Sequence, residues 1–327
     1  MSKGRTRGGP ARPAQRTSAK AKGSTGAKAQ PTPRRPTRRP ARRRAPVGPL
    51  LAVGLVAVGL VAWLVLRGGG GGDPGRPVVG GDLHSIAVSP TDPNRIWVGG
   101  HQAAAASTDG GVTWAEVPSL AGADPMGWVI DPADPARQYV GGHPGFKVST
   151  DGGRTFTARN DGLPATDVHG LGRDPSSGRL YAAVVGKGLL ASDDQGSTWT
   201  TVNPAVQTMG PILVDPNDPK RLYLSDMQNL LGSEDGGRSW QRLGAIPGAM
   251  SLAQTGDGSL FAAANGAVLK STDRGASFAP LGALPVQVSA VAVTPDGRRL
   301  YAAGLDGNQA VVVRSDDAGA TWQLATR

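Results

Sequence analysis

The sequence of 327 residues contains no cysteine. That absence excludes disulfide frameworks, thiolate metal sites and a cysteine nucleophile. Aromatic residues are also scarce, with 7 Trp, 4 Tyr and 4 Phe, whereas 49 Gly and 27 Pro supply abundant turn formers. Such a composition, with 39% hydrophobic residues, is typical of many short strands joined by tight turns. We therefore predict an all-β fold.

Acidic residues are absent from residues 1–45, which hold 15 Lys and Arg. Residues 73–327 instead carry 19 Lys and Arg against all 25 Asp and Glu, so the formal net charge of +10 belongs to the tail. This Pro- and Gly-rich tail has little apolar surface to bury, and we expect a disordered cytoplasmic segment whose cations contact anionic lipid. No aromatic residue interleaves with the cations, which argues against nucleic-acid binding.

Charged residues are also missing from residues 47–66, a run of 20 mostly apolar residues. At ~1.5 Å per residue this run crosses a ~30 Å hydrocarbon core, which predicts a transmembrane signal-anchor helix over residues 46–66. The upstream cations place the N-terminus in the cytoplasm and the rest of the chain on the extracytoplasmic side of the cell membrane. A cleavable signal peptide is the alternative, although no A-x-A site follows the run. Residues 67–81 are predicted to form a Gly/Pro-rich linker.

The remaining residues, 82–327, contain an internal repeat. The pattern S-x-D-x-G-x-[ST]-[WF] occurs six times, and its central acids are Asp109, Asp151, Asp194, Asp235, Asp273 and Asp317. They are 42, 43, 41, 38 and 44 residues apart, a period typical of four-stranded propeller blades. We predict a six-bladed β-propeller in which each repeat supplies its own four strands and the ring closes without an N-terminal strand.

The repeated motif resembles the Asp-box, or BNR repeat, of sialidase-like and other extracellular β-propellers. The resemblance covers residues 82–327 and implies a propeller of the WD40-YVTN-BNR-like superfamily, of a membrane-anchored bacterial type often labelled glycosyl hydrolase. It is a poor guide to function, because such repeats occur in hydrolases, receptors and assembly factors alike. We interpret the six acids as structural turn residues, since Ser and Asp side chains accept backbone N–H bonds in tight turns.

Histidine and methionine are few, with four His and four Met beyond the initiator. Aligning the repeats predicts that all eight lie at one mouth of the central channel, where the first strand of a blade begins and the second ends. The predicted metal ligands are His84, Met126 and His169, with His101 and His143 just above them. Weaker candidates are Met209, Met227, Met250, Asp82, Asp124 and Asp167; each aspartate stands two residues before a ligand, on the same side of its strand.

Imidazole and thioether ligands together suit Cu(I), and a histidine-rich subset suits Cu(II) or Zn(II). We therefore predict a membrane-anchored extracytoplasmic binding protein with a copper site at the channel mouth. One alternative is a purely structural role, in which methionine fills the channel and histidine forms hydrogen bonds between blades. An organic ligand is a further alternative.

Two other functions stay open on the sequence alone. The resemblance implies a sialidase-like glycoside hydrolase, but its arginine cluster and Tyr–Glu nucleophile match no positions of this chain. A carboxylate pair drawn from Asp167, Asp226 and Asp306 is the remaining route to hydrolysis. The third function is a non-catalytic scaffold that binds a protein partner on the propeller. The sequence does not decide whether the protein is an enzyme.

Overall fold

A computed structural model describes residues 75–326, which form six four-stranded antiparallel sheets. Within each sheet, neighbouring strands follow one another in the chain. The structure is therefore the predicted all-β, six-bladed β-propeller with one sequence repeat per blade.

The strands of the first three blades are as follows. Blade 1 contains β1 (Leu83–Val88), β2 (Ile96–Gly100), β3 (Ala103–Ser107) and β4 (Ala115–Glu116), followed by a 3-10 helix (Pro118–Leu120). Blade 2 contains β5 (Asp124–Ile130), β6 (Gln138–His143), β7 (Gly145–Ser149) and β8 (Thr157–Ala158). Blade 3 contains β9 (Val168–Arg173), β10 (Leu180–Val184), β11 (Gly188–Ser192) and β12 (Thr200–Asn203).

The second half of the ring repeats this arrangement. Blade 4 contains β13 (Leu213–Asp215), β14 (Asp218–Ser225), β15 (Asn229–Ser233) and β16 (Gln241–Ala245). Blade 5 contains β17 (Ser251–Gln254), β18 (Leu260–Ala264), β19 (Ala267–Ser271) and β20 (Ala279–Pro280). Blade 6 contains β21 (Ala290–Val293), β22 (Leu300–Asp306), β23 (Gln309–Ser315) and β24 (Gln323–Leu324).

The hydrophobic core lies between the blades. The second strand of each blade carries one aromatic residue, and all six are at most 3% exposed: Trp97, Tyr139, Tyr181, Tyr223, Phe261 and Tyr301. These rings separate neighbouring sheets whose other facing residues are mostly small Ala, Val and Leu, as in the cluster that joins blades 6 and 1. Each blade buries its apolar faces only against its two neighbours, so the ring must be closed to complete the core.

The six repeat turns share one hydrogen-bond pattern. In the blade 3 turn, Ser192 Oγ donates to Asp194 Oδ1 at 2.8 Å and accepts the Gly196 N–H at 2.8 Å. The same carboxylate accepts the Thr198 N–H at 2.8 Å and the Thr198 hydroxyl at 2.6 Å. The corresponding bonds recur around Asp109, Asp151, Asp235, Asp273 and Asp317. Each aspartate is thus fully engaged by donors of its own turn.

These donors predict how stability depends on pH. The Thr198 hydroxyl, the Thr198 N–H and the Ser192 hydroxyl lower the pKa of Asp194 to about 2. Because this pKa lies below the ordinary value of about 3.9, the contribution to stability is present above pH ~4 and is lost as pH falls through ~2. Urea unfolding across this range should show the loss, and Asp194→Asn, which keeps an acceptor but does not ionise, should lose less. Superimposable pH curves for the two proteins would contradict the assignment.

The segment before blade 1 packs against blade 6. Val79 N–H donates to Asn308 O at 3.0 Å, Ala310 N–H donates to Pro77 O at 2.9 Å, and Val79 is fully buried. The predicted closure without N-terminal residues is therefore incomplete. Blade 6 has its own fourth strand, β24, which pairs with Val313 and Arg314 near the end of β23. The beginning of β23 is left free by β24 and pairs with residues 77–79. The predicted linker over residues 67–81 thus contributes to the ring in its last residues.

Two sequence predictions concern residues that the structure does not describe. The basic tail, residues 1–45, and the predicted transmembrane segment, residues 46–66, lie outside the described range. Within residues 75–326, no helix has the length and apolar character needed to cross a membrane.

Candidate metal centre

The first strand of every blade lines a central channel. Its cavity has a volume of about 350 Å³ and a largely apolar wall that includes Ile86, Trp128, Leu213, Leu252 and Val291. His84 and Met126 line the channel where β1 and β5 begin. Histidine and aspartate side chains of blades 1, 2 and 3 surround this end.

A β-bulge occurs at the same place in each of these three blades. In β1 the pairing with β2 skips His84, in β5 the pairing with β6 skips Met126, and in β9 the pairing with β10 skips His169. A bulge adds one unpaired residue and redirects its side chain. The three residues predicted as core ligands are therefore the three bulge residues, at one structural position in consecutive blades.

The ends of β2 and β6 come unusually close to the preceding strands. A Cβ at Gly100 would overlap the carbonyl oxygen of Asp82, and a Cβ at Gly142 would overlap that of Asp124. Glycine permits this approach because it has no side chain. The next residues, His101 and His143, are thereby held beside the aspartates that begin the first strands.

Three histidines surround Asp124, which is only 7% exposed. His84 Nε2 lies 2.9 Å from Asp124 Oδ1, while His101 Nδ1 and His143 Nδ1 lie 3.3 and 3.4 Å from Oδ2. Asp82 Oδ2 lies a further 3.8 Å from His84 Nε2. We call His84, His101 and Asp124 the Asp124 cluster; their donor atoms lie within 4.8 Å of one another.

A second group surrounds Asp167, directly before β9. Asp167 Oδ1 lies 2.5 Å from His143 Nε2 and 2.8 Å from His169 Nε2. We call His143, Asp167 and His169 the Asp167 cluster; their donor atoms also lie within 4.8 Å of one another. Through the two nitrogens of His143 the clusters are contiguous, and together they contain all four histidines of the chain.

His84 Nε2 and Asp124 Oδ1 are both buried and have no hydrogen-bond partner, although they lie only 2.9 Å apart. The two atoms are close but are not aligned as donor and acceptor. A separation of about 3 Å is what two ligands of one ion show when each lies ~2.0–2.2 Å from it. Buried polar atoms without a partner are rare in proteins, and an ion bound between these two would satisfy both. Three other buried atoms in the described part of the ring also lack a partner, namely Arg173 Nε, Tyr223 OH and Trp322 Nε1, but none of them lies in this cluster of imidazoles and carboxylates.

The charges at this mouth are also unbalanced. Within the described residues, the groups that form close ion pairs with Asp82, Asp124 and Asp167 are all histidines. Elsewhere in the ring the buried carboxylate of Asp131 has a permanent cation, Arg173 at 2.9 Å, and that of Asp174 accepts the hydroxyls of Ser176 and Ser177. The side chains of Asp82 and Asp167 are 63% and 39% exposed to solvent, so Asp124 is the carboxylate of this group that is buried without a permanent cation.

The other predicted site residues lie elsewhere or have other partners. Met126 is 5% exposed beside His84 in the channel wall. Met209, Met227 and Met250 lie in blades 4 and 5, and Met227 is 38% exposed in the turn after β14. Of the three carboxylates predicted as candidates for hydrolysis, Asp167 belongs to the Asp167 cluster. The other two have different partners, because Asp226 accepts the Asn229 N–H at 2.6 Å and Asp306 pairs with Arg76 at 2.6 Å.

Sequence reasoning ranked Asp124 as a weaker candidate, although it is the residue that contacts three histidines. It also missed Gly100 and Gly142. The available signal was the tetrapeptide VGGH, which occurs at residues 98–101 and again at 140–143. A repeated pair of glycines before histidine indicates a position where the backbone must approach another strand closely before it presents the imidazole.

Comparison with solved structures relates this chain to other β-propellers. A protein of unknown function from Bacteroides thetaiotaomicron matches with a TM-score of 0.58 and 10% identity, over 74% of this chain and 72% of that one. The GH74 xyloglucanase from Xanthomonas campestris matches with a TM-score of 0.53 and 21% identity, over 76% and 45%. A GH74 enzyme from Niastella koreensis matches with a TM-score of 0.50 and 18% identity, over 75% and 47%.

The chain thus spans about half the length of the two GH74 enzymes. No protein-family model matches the sequence, and no curated protein matches it. At such identities the likeness establishes the fold alone, and the count of six blades comes from the six sheets of residues 75–326.

Proposed function

We propose that this protein is a metal-binding β-propeller that holds a divalent first-row ion, Cu²⁺ or Zn²⁺, at the channel mouth of blades 1 to 3. The observation that carries the proposal is the unpartnered pair of buried atoms, His84 Nε2 and Asp124 Oδ1. His101 completes a three-ligand set around the same carboxylate. An ion bound there would satisfy both orphaned atoms at once.

The charge distribution supports the same proposal. Burying a carboxylate without a cation costs several kcal/mol, on the order of the penalty for any unpaired buried ion. A divalent ion would supply the charge that Arg173 supplies to Asp131 elsewhere in the ring.

The donor chemistry narrows the identity of the ion. Imidazole nitrogen with carboxylate oxygen suits Zn²⁺ and Cu²⁺, and Cu²⁺ binds such donors more tightly in the usual affinity order. Met126 adds a thioether to the wall of the channel that His84 also lines. Copper therefore remains our proposed ion. We now propose Cu²⁺ in place of Cu(I), the oxidation state that the methionines suggested.

The setting of the site is part of the proposal. The six repeat turns would be Asp-box turns that stabilise the blades, and the predicted helix over residues 46–66 would anchor the propeller on the extracytoplasmic side of the cell membrane. The basic tail, residues 1–45, would contact anionic lipid in the cytoplasm. In this setting the propeller acts as a binding protein for an extracytoplasmic metal ion.

The direct experiment is calorimetric titration of the full-length chain with Zn²⁺ and with Cu²⁺. His84→Ala should weaken binding of the ion held by the Asp124 cluster by at least about 100-fold, because it removes a ligand rather than a supporting group. The matched control is Ser289→Ala, an exposed residue directly before the first strand of blade 6, which should bind as the unchanged protein does. Equal affinity in His84→Ala and the unchanged protein, or no binding by either, would contradict the proposal and favour a scaffold role.

A further inference from the structure

The Asp124 and Asp167 clusters share one pairing between neighbouring blades. In each, a histidine at the end of one blade's second strand lies beside the aspartate that begins the next blade: His101 beside Asp124, and His143 beside Asp167. A bulge histidine completes each cluster, His84 in the first and His169 in the second. The pairing of a second-strand histidine with the next aspartate therefore occurs twice, one blade apart. The bulge histidine comes from the preceding blade in the first cluster and from the aspartate's own blade in the second.

The six donor residues form two groups and not one. Ligand atoms of a single ion lie within about 4.2 Å of one another, since each bond is ~2.0–2.1 Å long. Within residues 75–326, the histidine and aspartate donor atoms that all lie within 4.8 Å of one another form two sets of three residues. Each set contains two imidazoles and one carboxylate, which is a sufficient protein contribution to one ion with open positions.

His143 lies between the two clusters and contacts both carboxylates. Its Nδ1 is 3.4 Å from Asp124 Oδ2, and its Nε2 forms a 2.5 Å hydrogen bond with Asp167 Oδ1, which an ion bound between the two atoms would replace. A neutral imidazole carries one N–H and one lone pair. With the proton on Nδ1, the ring would donate toward Asp124 and offer Nε2 as a ligand in the Asp167 cluster. Metal-binding histidines commonly use their second nitrogen in this way, to contact a carboxylate.

We propose that the channel mouth holds two divalent ions, an inference that rests on the proposed metal-binding function. One is bound by His84, His101 and Asp124, and the other by His143, Asp167 and His169. His143 is a ligand of the second ion and a positioning residue for the first, because it orients Asp124. Asp82, 3.8 Å from His84 Nε2, adds a third negative charge to offset the four positive charges of two ions.

The experiment is a Cu²⁺ titration of the full-length chain, followed by calorimetry and by electron paramagnetic resonance. We expect two ions per chain, with the signal of the first Cu²⁺ broadened when the second binds nearby. His84→Gln should leave one ion, bound by the Asp167 cluster. Asp167→Asn should leave one ion, bound by the Asp124 cluster. Melting of the metal-free variants confirms that each is folded.

The bridging residue has a separate readout. His143→Ala should abolish the second ion and weaken binding of the first by about 10- to 100-fold, the usual effect of losing a group that orients a ligand. His143→Gln should restore the affinity of the first ion, because its amide can still donate to Asp124. No rescue by glutamine would contradict the positioning role.

The possible stoichiometries separate this inference from the proposed function. If the unchanged protein binds one ion and both His84→Gln and Asp167→Asn lose it, the two clusters form a single shared site. The two-ion inference would then be wrong and the metal-binding function correct. No bound ion in the unchanged protein would overturn both. If two Cu²⁺ ions bind but the electron paramagnetic resonance signal of the first is not broadened by the second, the second ion lies far from the channel mouth. That result would also overturn the inference.

Discussion

Replacing Asp124 by asparagine is expected to abolish metal binding by the Asp124 cluster, with a loss of affinity of at least about 100-fold. The amide keeps the size of the carboxylate but carries no charge, so the buried ion would lose its only charged ligand in that cluster. The metal-free protein should fold normally, because asparagine can still form hydrogen bonds with the surrounding histidines. Calorimetric titration with Cu²⁺ and Zn²⁺ measures the effect.

Asp226→Asn is the matched control, since Asp226 immediately follows the second strand of blade 4 but accepts the backbone N–H groups of Gln228 and Asn229. Its metal affinity should equal that of the unchanged protein. If Asp124→Asn bound both ions as tightly as the unchanged protein, the carboxylate would have no part in metal binding and the site would be assigned wrongly.

Gly142→Ala is expected to destabilise the fold by about 3 kcal/mol and to weaken metal binding at the same time. The added Cβ would overlap the carbonyl oxygen of Asp124, which belongs to the backbone and cannot rotate away. Strands β5 and β6 would have to separate at this end, and overpacking of this kind typically costs ~1–3 kcal/mol or more. Urea unfolding measures the loss of stability, and metal titration measures the displacement of Asp124 from His143.

Gly256→Ala provides the comparison, because its nearest neighbour would be Pro295 O at 3.2 Å and its backbone conformation is open to alanine. This variant should lose less than about 1 kcal/mol and keep its metal affinity. A Gly142→Ala protein as stable as Gly256→Ala would show that β5 and β6 can move apart freely, and that the close approach does not position the cluster.

Most of the fold could be predicted from the repeat, because a period of about 40 residues and one buried aromatic per repeat define a blade with little reference to the rest of the chain. The way in which the ring closes could not be predicted from the repeat. The contact of residues 77–79 with β23 joins segments about 230 residues apart, and nothing in the Gly/Pro-rich sequence before Val79 has the periodicity of a strand.

The candidate site was predictable in position but not in detail. Aligned repeats bring His84, Met126 and His169 to one structural position, and the three bulges are found there. The central role of Asp124 could not be derived, because it depends on how His101 and His143 approach from two different blades. Alignment of the repeats shows how far along its strand each residue lies, and so at which end of the channel. Contacts between side chains of different blades depend in addition on the bulges and on the space that glycines leave.

The central claim is that a divalent ion binds between His84 and Asp124, and anomalous diffraction from crystals soaked in Zn²⁺ tests it most directly. The account predicts an anomalous peak at the zinc edge about 2.0–2.2 Å from both His84 Nε2 and Asp124 Oδ1. An absence of any peak at the mouth of blades 1 to 3, with zinc bound elsewhere on the propeller or not at all, would contradict it.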